Sequence, residues 1–485
     1  MAGITKAQFI REYSKKLMEG NAALFVGAGF SQPAGYVNWK ELMRDIAEDL
    51  GLDIDREYDL IALAQYHNNQ RRSRTHLNEK LIEEFTKDAR PTVNHPLLAQ
   101  LPVHTVWTTN YDTLLEDAFK RHHRRVDIKI TTENVAQTRP GVDVTIFKMH
   151  GDVTQPDKAV LTKDDYESYS LHRELFTIRL KGDLVSLTFL FLGFSFTDPN
   201  IDYIMGRIKN LLGQNIPHHY CLMRRPQPPS PSTPEARAEY EYECRKLDLR
   251  IGDLQRFGIQ TVLIDSYDEI TEILQELNKR AFLNNVFVSG SADVGSSEFD
   301  YTRLLGFARK LGKAIIDKGH NLVSGFGTGI GSEVIVGAVE GASGTLSNMH
   351  DRLILRPFPQ TVEDSRQAQV FHEWREAMIA LAGFSIFLAG NKLDDSNNSI
   401  PADGVREEFD TGRTPPLHNY PIPVGATGYV AQQIWQEVSQ EPQRFYGSID
   451  VARELEILGE PARTDDELFK AIFDIIRKVH RNRAT

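Results

Sequence analysis

The chain has 485 residues, 41% hydrophobic and 25% charged, with a formal net charge of -11. That length exceeds one ordinary hydrophobic core and predicts two or three domains, while the acidic balance argues against sequence-independent nucleic-acid binding, which needs basic patches. The two cysteines, Cys221 and Cys244, form no CxxC pair, which leaves neither a four-cysteine zinc module nor a disulfide framework.

The first residues, "MAGITKAQFIREYSKK", lack the apolar centre of a signal peptide, so a cytoplasmic location is expected. "AALFVGAG" (22–29) reads as a strand, and "WKELMRDIAEDLG" (39–51) as one amphipathic helix ending at Gly51. "HTVWTTN" (104–110) is a second strand, followed by the helix "YDTLLEDAFKRH" and a basic run, "KRHHRR" (120–125), read as a solvated loop. "VTIFKMHGD" (144–152) and "TFLFLGFSF" (188–196) are further strands. The apolar run 184–196 is too short to cross a bilayer as a helix and suits a strand covered on both faces. "RPQPPSPSTP" (225–234) is a proline-rich loop. A helix, the strand "IQTVLID" (259–265) and the helix "YDEITEILQELNKRAF" close the first unit.

A second pattern begins near residue 284. "NNVFVSGSA" (284–292), "HNLVSGFGTGIG" (320–331), "RLILRPFP" (352–359) and "FSIFLAGN" (384–391) read as strands and turns, with "RLLGFARKLGKAIIDKG" a helix between the first two. Alternating strands and helices predict an α/β protein with two successive parallel-sheet domains of Rossmann type, 1–282 and 283–485.

Three segments of the first half carry chemistry. "VGAGFS" puts glycines directly after a strand, where Gly27, Ala28 and Gly29 let backbone amides approach a pyrophosphate and Ser31 offers a hydroxyl. "TTNYD" places Thr109, Asn110 and Asp112 at one strand end, and "MHGD" places His150 and Asp152 at another. Parallel strands share a C-terminal edge, where ligands bind. A histidine there can act as a base, and an asparagine can orient a hydroxyl or water. A glycine turn or a lone histidine is often only structural; the ordered set of three points to a site.

These motifs resemble the sirtuin superfamily, with its GAGxS, T-x-N-x-D and HG segments on a Rossmann-like fold that binds NAD. "GFSFTDPNID" (193–202) is similar to the ribose-contacting turn of prokaryotic sirtuin-like proteins, which brings in Gly193 and Ser195. The cysteine pairs of sirtuin deacylases are missing after "HGD", so no metal or zinc is expected. The resemblance implies an enzyme with NAD+ as substrate rather than cofactor and water as nucleophile. In it Asn110 orients water or ribose, His150 acts on the ribose hydroxyls, and Asp112 meets the nicotinamide amide. Deacylation or ADP-ribosyl transfer remain alternatives, as does a scaffold that only binds nucleotides.

The second half has its own loops. Ser289 and Gly290 end one strand; Gly325, Gly327, Thr328 and Gly329 follow another and open a helix, a setting that favours phosphate. With Arg375, Lys392 and Glu407 (or Glu408), these segments resemble the SLOG superfamily, which includes LOG-type phosphoribohydrolases. The hydrolase loop P-G-G-x-G-T is replaced by residues 388–392, "LAGNK", so binding rather than hydrolysis is expected, with Arg375 and Lys392 holding phosphates. A sirtuin-like domain followed by a SLOG domain resembles the effector family of Thoeris anti-phage defence. That likeness implies an NAD+ hydrolase activated by a cyclic ADP-ribose isomer made by a TIR-domain partner and working as a homotetramer; the acidic balance and the short apolar run lead us to expect contact with neither nucleic acid nor membrane.

Overall fold

A computed structural model of the chain describes all residues except 1–2, 214, 216, 232, 294–299, 328, 343–351, 360–362, 395, 397, 415–416, 418 and 485. Two compact units meet between Asn278 and Lys279, inside the helix Asp268–Ala281.

The first unit holds seven parallel strands: β1 (Ala22–Val26), β2 (Thr105–Thr108), β3 (Val126–Lys129), β4 (Val144–Lys148), β5 (Thr188–Leu192), β6 (His219–Arg224) and β7 (Ile259–Ile264). Their spatial order is β3-β4-β2-β1-β5-β6-β7. The chain runs outward from β1 on one side, then returns to its other flank at β5, so β1 is the point where strand order reverses. Open α/β sheets bind ligands beyond the strand C-termini at such a switch. β1 and β5 are buried almost throughout, in keeping with their unbroken apolar sequences. Trp107 stacks on Phe147 at 4.4 Å, and its indole N–H donates to Asp183 at 2.9 Å, so the largest buried side chain leaves no polar atom unpaired. A separate apolar layer, including Leu42, Ile46, Leu63, Leu77 and Leu81, packs on Tyr111, Leu114 and Val153, covering the segments that follow β2 and β4.

The second unit has a five-stranded parallel sheet of β8 (Asn285–Ser291), β9 (Asn321–Ser324), β10 (Leu353–Leu355), β11 (Phe384–Ala389) and β14 (Tyr420–Val424), ordered β10-β9-β8-β11-β14. An antiparallel pair, β12 (Asn391–Leu393) and β13 (Ser399–Pro401), follows β11. Both units are therefore α/β with parallel sheets, as the sequence predicts. Among the described residues no helix is long and apolar enough to cross a membrane.

Several local expectations are corrected. The helix 39–51 is two helices, Trp39–Leu42 and Arg44–Asp49, because Met43 has ψ near 0° and breaks the ladder. The helix after β2 starts at Leu114 rather than Tyr111, because the Asp112 carboxylate accepts the Leu114 N–H at 3.0 Å. The run 120–125 is not wholly solvated. Arg124 donates to the carbonyls of Leu101 (2.8 Å), Asp143 (3.0 Å), Ala99 (3.3 Å) and Val103, gathering four backbone acceptors around one guanidinium. Burial pushes its pKa down to about 10.

Candidate functional site

The N-terminal site grows from a close approach of two turns. Gly27 follows β1, and a Cβ there would sit 2.5 Å from the Gly193 carbonyl oxygen and 2.8 Å from Phe194 Cα. Gly193, after β5, has φ +61°, and its Cβ would lie 2.3 Å from the Phe30 nitrogen. Only glycine fits either place. The N–H of Gly27 donates to Leu192, and that of Gly29 to Gly193, both at 2.9 Å. These two amides thus tie the two turns together. Ala28 and Gly29 are exposed at this rim, as is Ser195, whose hydroxyl pairs with Thr197 at 2.7 Å.

Asn110 lies beneath that rim and is buried. Its backbone N–H donates to Thr108 Oγ1 (3.0 Å), and Thr108 donates onward to the Val26 carbonyl (2.8 Å). Its Nδ2 donates to the Gly27 carbonyl (3.2 Å) and to Ser31 Oγ (3.0 Å). These bonds fix the amide's orientation, and its Oδ1 is buried with no hydrogen-bond partner among the described residues. Ser31, buried as well, accepts from Asn110 and keeps its own hydroxyl proton to donate. Asp112 accepts the Leu114 N–H with one carboxylate oxygen, while the other is buried with no hydrogen-bond partner among the described residues. Thr109 is half-buried between them. Buried polar atoms are nearly always paired, so two such acceptors in one strand-end segment mark a place built for a ligand.

His150, after β4, is buried and lies with Nε2 3.1 Å from Asp198 Oδ2. Asp198 also caps the helix Pro199–Leu212, accepting from Asn200 (3.0 Å) and Ile201 (3.1 Å). Burial alone would raise its pKa, but the His150 charge and these hydrogen bonds outweigh it and hold the carboxyl below the usual range. The ring stands edge-on to Tyr166 and Tyr169, at 5.6 and 6.4 Å.

Asp152 has a different task. With Glu116 it surrounds Lys148, which is fully buried at the end of β4; the Glu116 contact is 2.7 Å. Burial would lower the lysine's pKa, yet the surrounding carboxylates raise it, so the ammonium persists. This charge cluster fastens the β2 and β4 segments to each other below the site.

Sequence reasoning missed Asp198 and His95. The signal for Asp198 was the helix start "DPN", an N-cap followed by proline. His95 is fully buried against Phe30, at 4.9 Å between rings, and its Nδ1 accepts from the Thr92 N–H at 3.1 Å. Burial keeps it neutral, so Nε2 carries the proton and has no partner among the described residues.

In the second unit, Ser289 on β8 donates to Glu408 Oε2 at 2.5 Å. Arg375 donates to Glu407 Oε2 at 2.7 Å, with Nε 3.9 Å from Glu408 Oε1, and its guanidinium lies over the Phe358 and Phe371 rings. His372 Nδ1 is 3.1 Å from Glu407. Burial pushes the Glu408 carboxyl up to about 7, although the Ser289 hydroxyl and Arg375 charge pull it down. The structure therefore brings together Ser289, Arg375, Glu407 and Glu408. Lys392 instead pairs with Asp403 at 2.6 Å. A cavity of about 460 Å³ opens here, lined in part by His372, Asp403, Arg406 and Glu407.

The glycine turns meet by close packing. A Cβ on Gly327 would lie 2.5 Å from the Gly290 carbonyl, and one on Gly290 2.5 Å from that of Leu388. Gly325 faces Met378 and Phe358, and Gly329 has φ +71° just before the helix Ile330–Ala342. Thr328 lies outside the described residues.

Two family models match successive parts of the chain. Residues 104–245 match the SIR2-like domain family and 269–479 the Sir2- and TIR-associating SLOG family. The chain is 43% identical over 479 residues to the NAD(+) hydrolase ThsA of Bacillus cereus, covering 96% of this chain and 97% of that protein. It is 41% identical to the NAD(+) hydrolase ThsA of Acinetobacter baumannii, again over 96% and 97%. Defense-associated sirtuin 2 of Bacillus subtilis is 25% identical over 228 residues, which is 45% of this chain and 22% of that protein.

Proposed function

The chain belongs to the family of the ThsA NAD(+) hydrolases, and from that membership we propose that it cleaves NAD+ at the nicotinamide–ribose bond. Water adds to the ribose carbon as nicotinamide departs, giving ADP-ribose and a proton. Nicotinamide leaves from a cationic ring and needs little acid assistance. The protein must instead orient the dinucleotide, stabilise an oxocarbenium-like transition state and direct water. The observation that carries this reading is the pair of buried, unpartnered acceptors, Asn110 Oδ1 and Asp112 Oδ2, at the sheet's switch point. Asn110 Oδ1 accepts from the attacking water or a ribose hydroxyl. Asp112 receives the nicotinamide amide, and His150, backed by Asp198, exchanges a proton with the ribose hydroxyls.

The second unit acts as a receptor for a cyclic ADP-ribose isomer produced by a TIR-domain partner. The description of the matching family, Sir2- and TIR-associating SLOG, supports this role. One Arg375 terminal nitrogen is held by Glu407 in this structure, and a phosphate that takes that donor displaces the carboxylate. A ligand activates only by binding the active arrangement more tightly; the exchange of Glu407 for phosphate supplies such a difference. In this reading the working form is a cytoplasmic homotetramer that depletes NAD+ during phage infection.

Two substitutions test the two halves separately. Asn110→Ala abolishes nicotinamide release while binding of the cyclic nucleotide persists; normal turnover would refute the site. Arg375→Glu removes the response to the cyclic nucleotide, and an unchanged dose response would refute the receptor.

A further inference from the structure

Away from both sites, Asp49, His67 and His76 converge from three different helices, Arg44–Asp49, Leu60–Arg71 and Thr75–Phe85. His67 Nε2 is 3.3 Å and His76 Nε2 3.2 Å from the same oxygen, Asp49 Oδ2. One donor atom from each residue lies within 4.8 Å of the other two. We propose that these three side chains bind a borderline divalent transition metal of the Zn2+ class, which staples the three helices together.

The distances match that chemistry. Zinc bonds to imidazole nitrogen and carboxylate oxygen are about 2.0–2.2 Å, so neighbouring donors of a tetrahedron stand about 3.3–3.5 Å apart. The two nitrogen–oxygen distances fall at or just below that edge length. Two imidazoles and one carboxylate form a three-ligand set that a water completes, and the mixture of nitrogen and oxygen donors suits Zn2+ over Mg2+ or Ca2+. Access exists on one side: the His67 side chain is fully buried, while those of Asp49 and His76 are 33% and 37% exposed. His76 turns its other nitrogen toward the Glu79 carboxylate, 3.8 Å away. The Nδ1 of His67 is buried with no hydrogen-bond partner among the described residues, so the polar ring owes its place to what its Nε2 contacts.

Arg71 also reaches Asp49 Oδ2, at 3.2 Å. Its exposed side chain can turn to the second carboxylate oxygen, leaving Oδ2 for the ion. The expectation of no zinc rested on missing cysteine pairs. It did not weigh histidines that are nine residues apart and an aspartate eighteen residues before the first. Ligation here would pin the helices whose inner faces supply Ile46, Leu63 and Leu77 to the layer covering the β2 and β4 segments.

The test uses the full-length chain, stripped with a chelator and titrated with Zn2+ by calorimetry, with thermal melting in parallel. Wild type is expected to bind one equivalent per chain and to melt at a higher temperature with Zn2+. Asp49→Asn and His76→Gln, both at partly exposed positions, each weaken binding by at least about 10–100-fold, the range that even outer partners of metal sites control, and each loses the rise in melting temperature. Circular dichroism checks that both variants remain folded. Failure of wild type to take up an equivalent, or wild-type affinity in either variant, overturns the proposal.

Discussion

Glu408→Gln should stabilise the second unit at alkaline pH and leave it nearly unchanged in acid. The ordinary glutamate value is 4.5, and burial places this carboxyl at about 7. Between those values the unfolded chain has lost the proton while the folded chain keeps it. Stability therefore falls as pH rises from about 4.5 to about 7 and then levels off. At about 1.4 kcal/mol for each pH unit, the loss approaches about 3 kcal/mol. Glutamine carries no charge to bury and can still accept from Ser289. Scanning calorimetry of both proteins at pH 5 and pH 8 reads this directly. For a unit of this size the difference corresponds to roughly 6–12 °C at pH 8, with a small difference at pH 5. Equal pH dependence in the two proteins would refute the reasoning, because the buried carboxyl would then not be the group that titrates.

Gly193→Ala forces a side chain into a left-handed residue and against the Phe30 backbone nitrogen, 2.3 Å away. It should cost at least about 2–3 kcal/mol in urea unfolding, since overpacking and the backbone conformation both oppose it. Asp198→Asn retains a capping side chain for the helix Pro199–Leu212 but removes the charge beside His150, so stability holds while nicotinamide release falls by about 100-fold. Asp198→Ala should lose about 1 kcal/mol of stability as well, and the contrast between the two variants, read by denaturation and turnover, separates cap from chemistry.

The strand–helix alternation made both sheets legible, because β1, β5 and β11 are apolar almost throughout and β8 carries the apolar run Val286–Val288. Five strands were not read: β3, β6, the three-residue pair β12 and β13, and β14. β3 has only four residues, and both β3 and β6 mix charged with apolar residues. β14 carries Pro421 and Pro423, which argue against a strand; it is tolerated at the sheet edge, where it pairs with β11 alone. At the site, the strand-end motifs led to Asn110, Asp112 and His150, since residue type and position suffice for those. What each glycine does was not legible. Gly27 and Gly193 are set by a contact between residues 166 positions apart, and only the folded chain brings their turns together. The same holds for Asp198, whose N-cap signal was local but whose approach to His150 was not.

The most direct test of the central claim is mass spectrometry of NAD+ incubated with the full-length protein, with and without a cyclic ADP-ribose isomer. The account predicts nicotinamide and ADP-ribose in equal amounts, increased by the cyclic nucleotide and absent with Asn110→Ala. NAD+ that binds but stays intact under both conditions would contradict it.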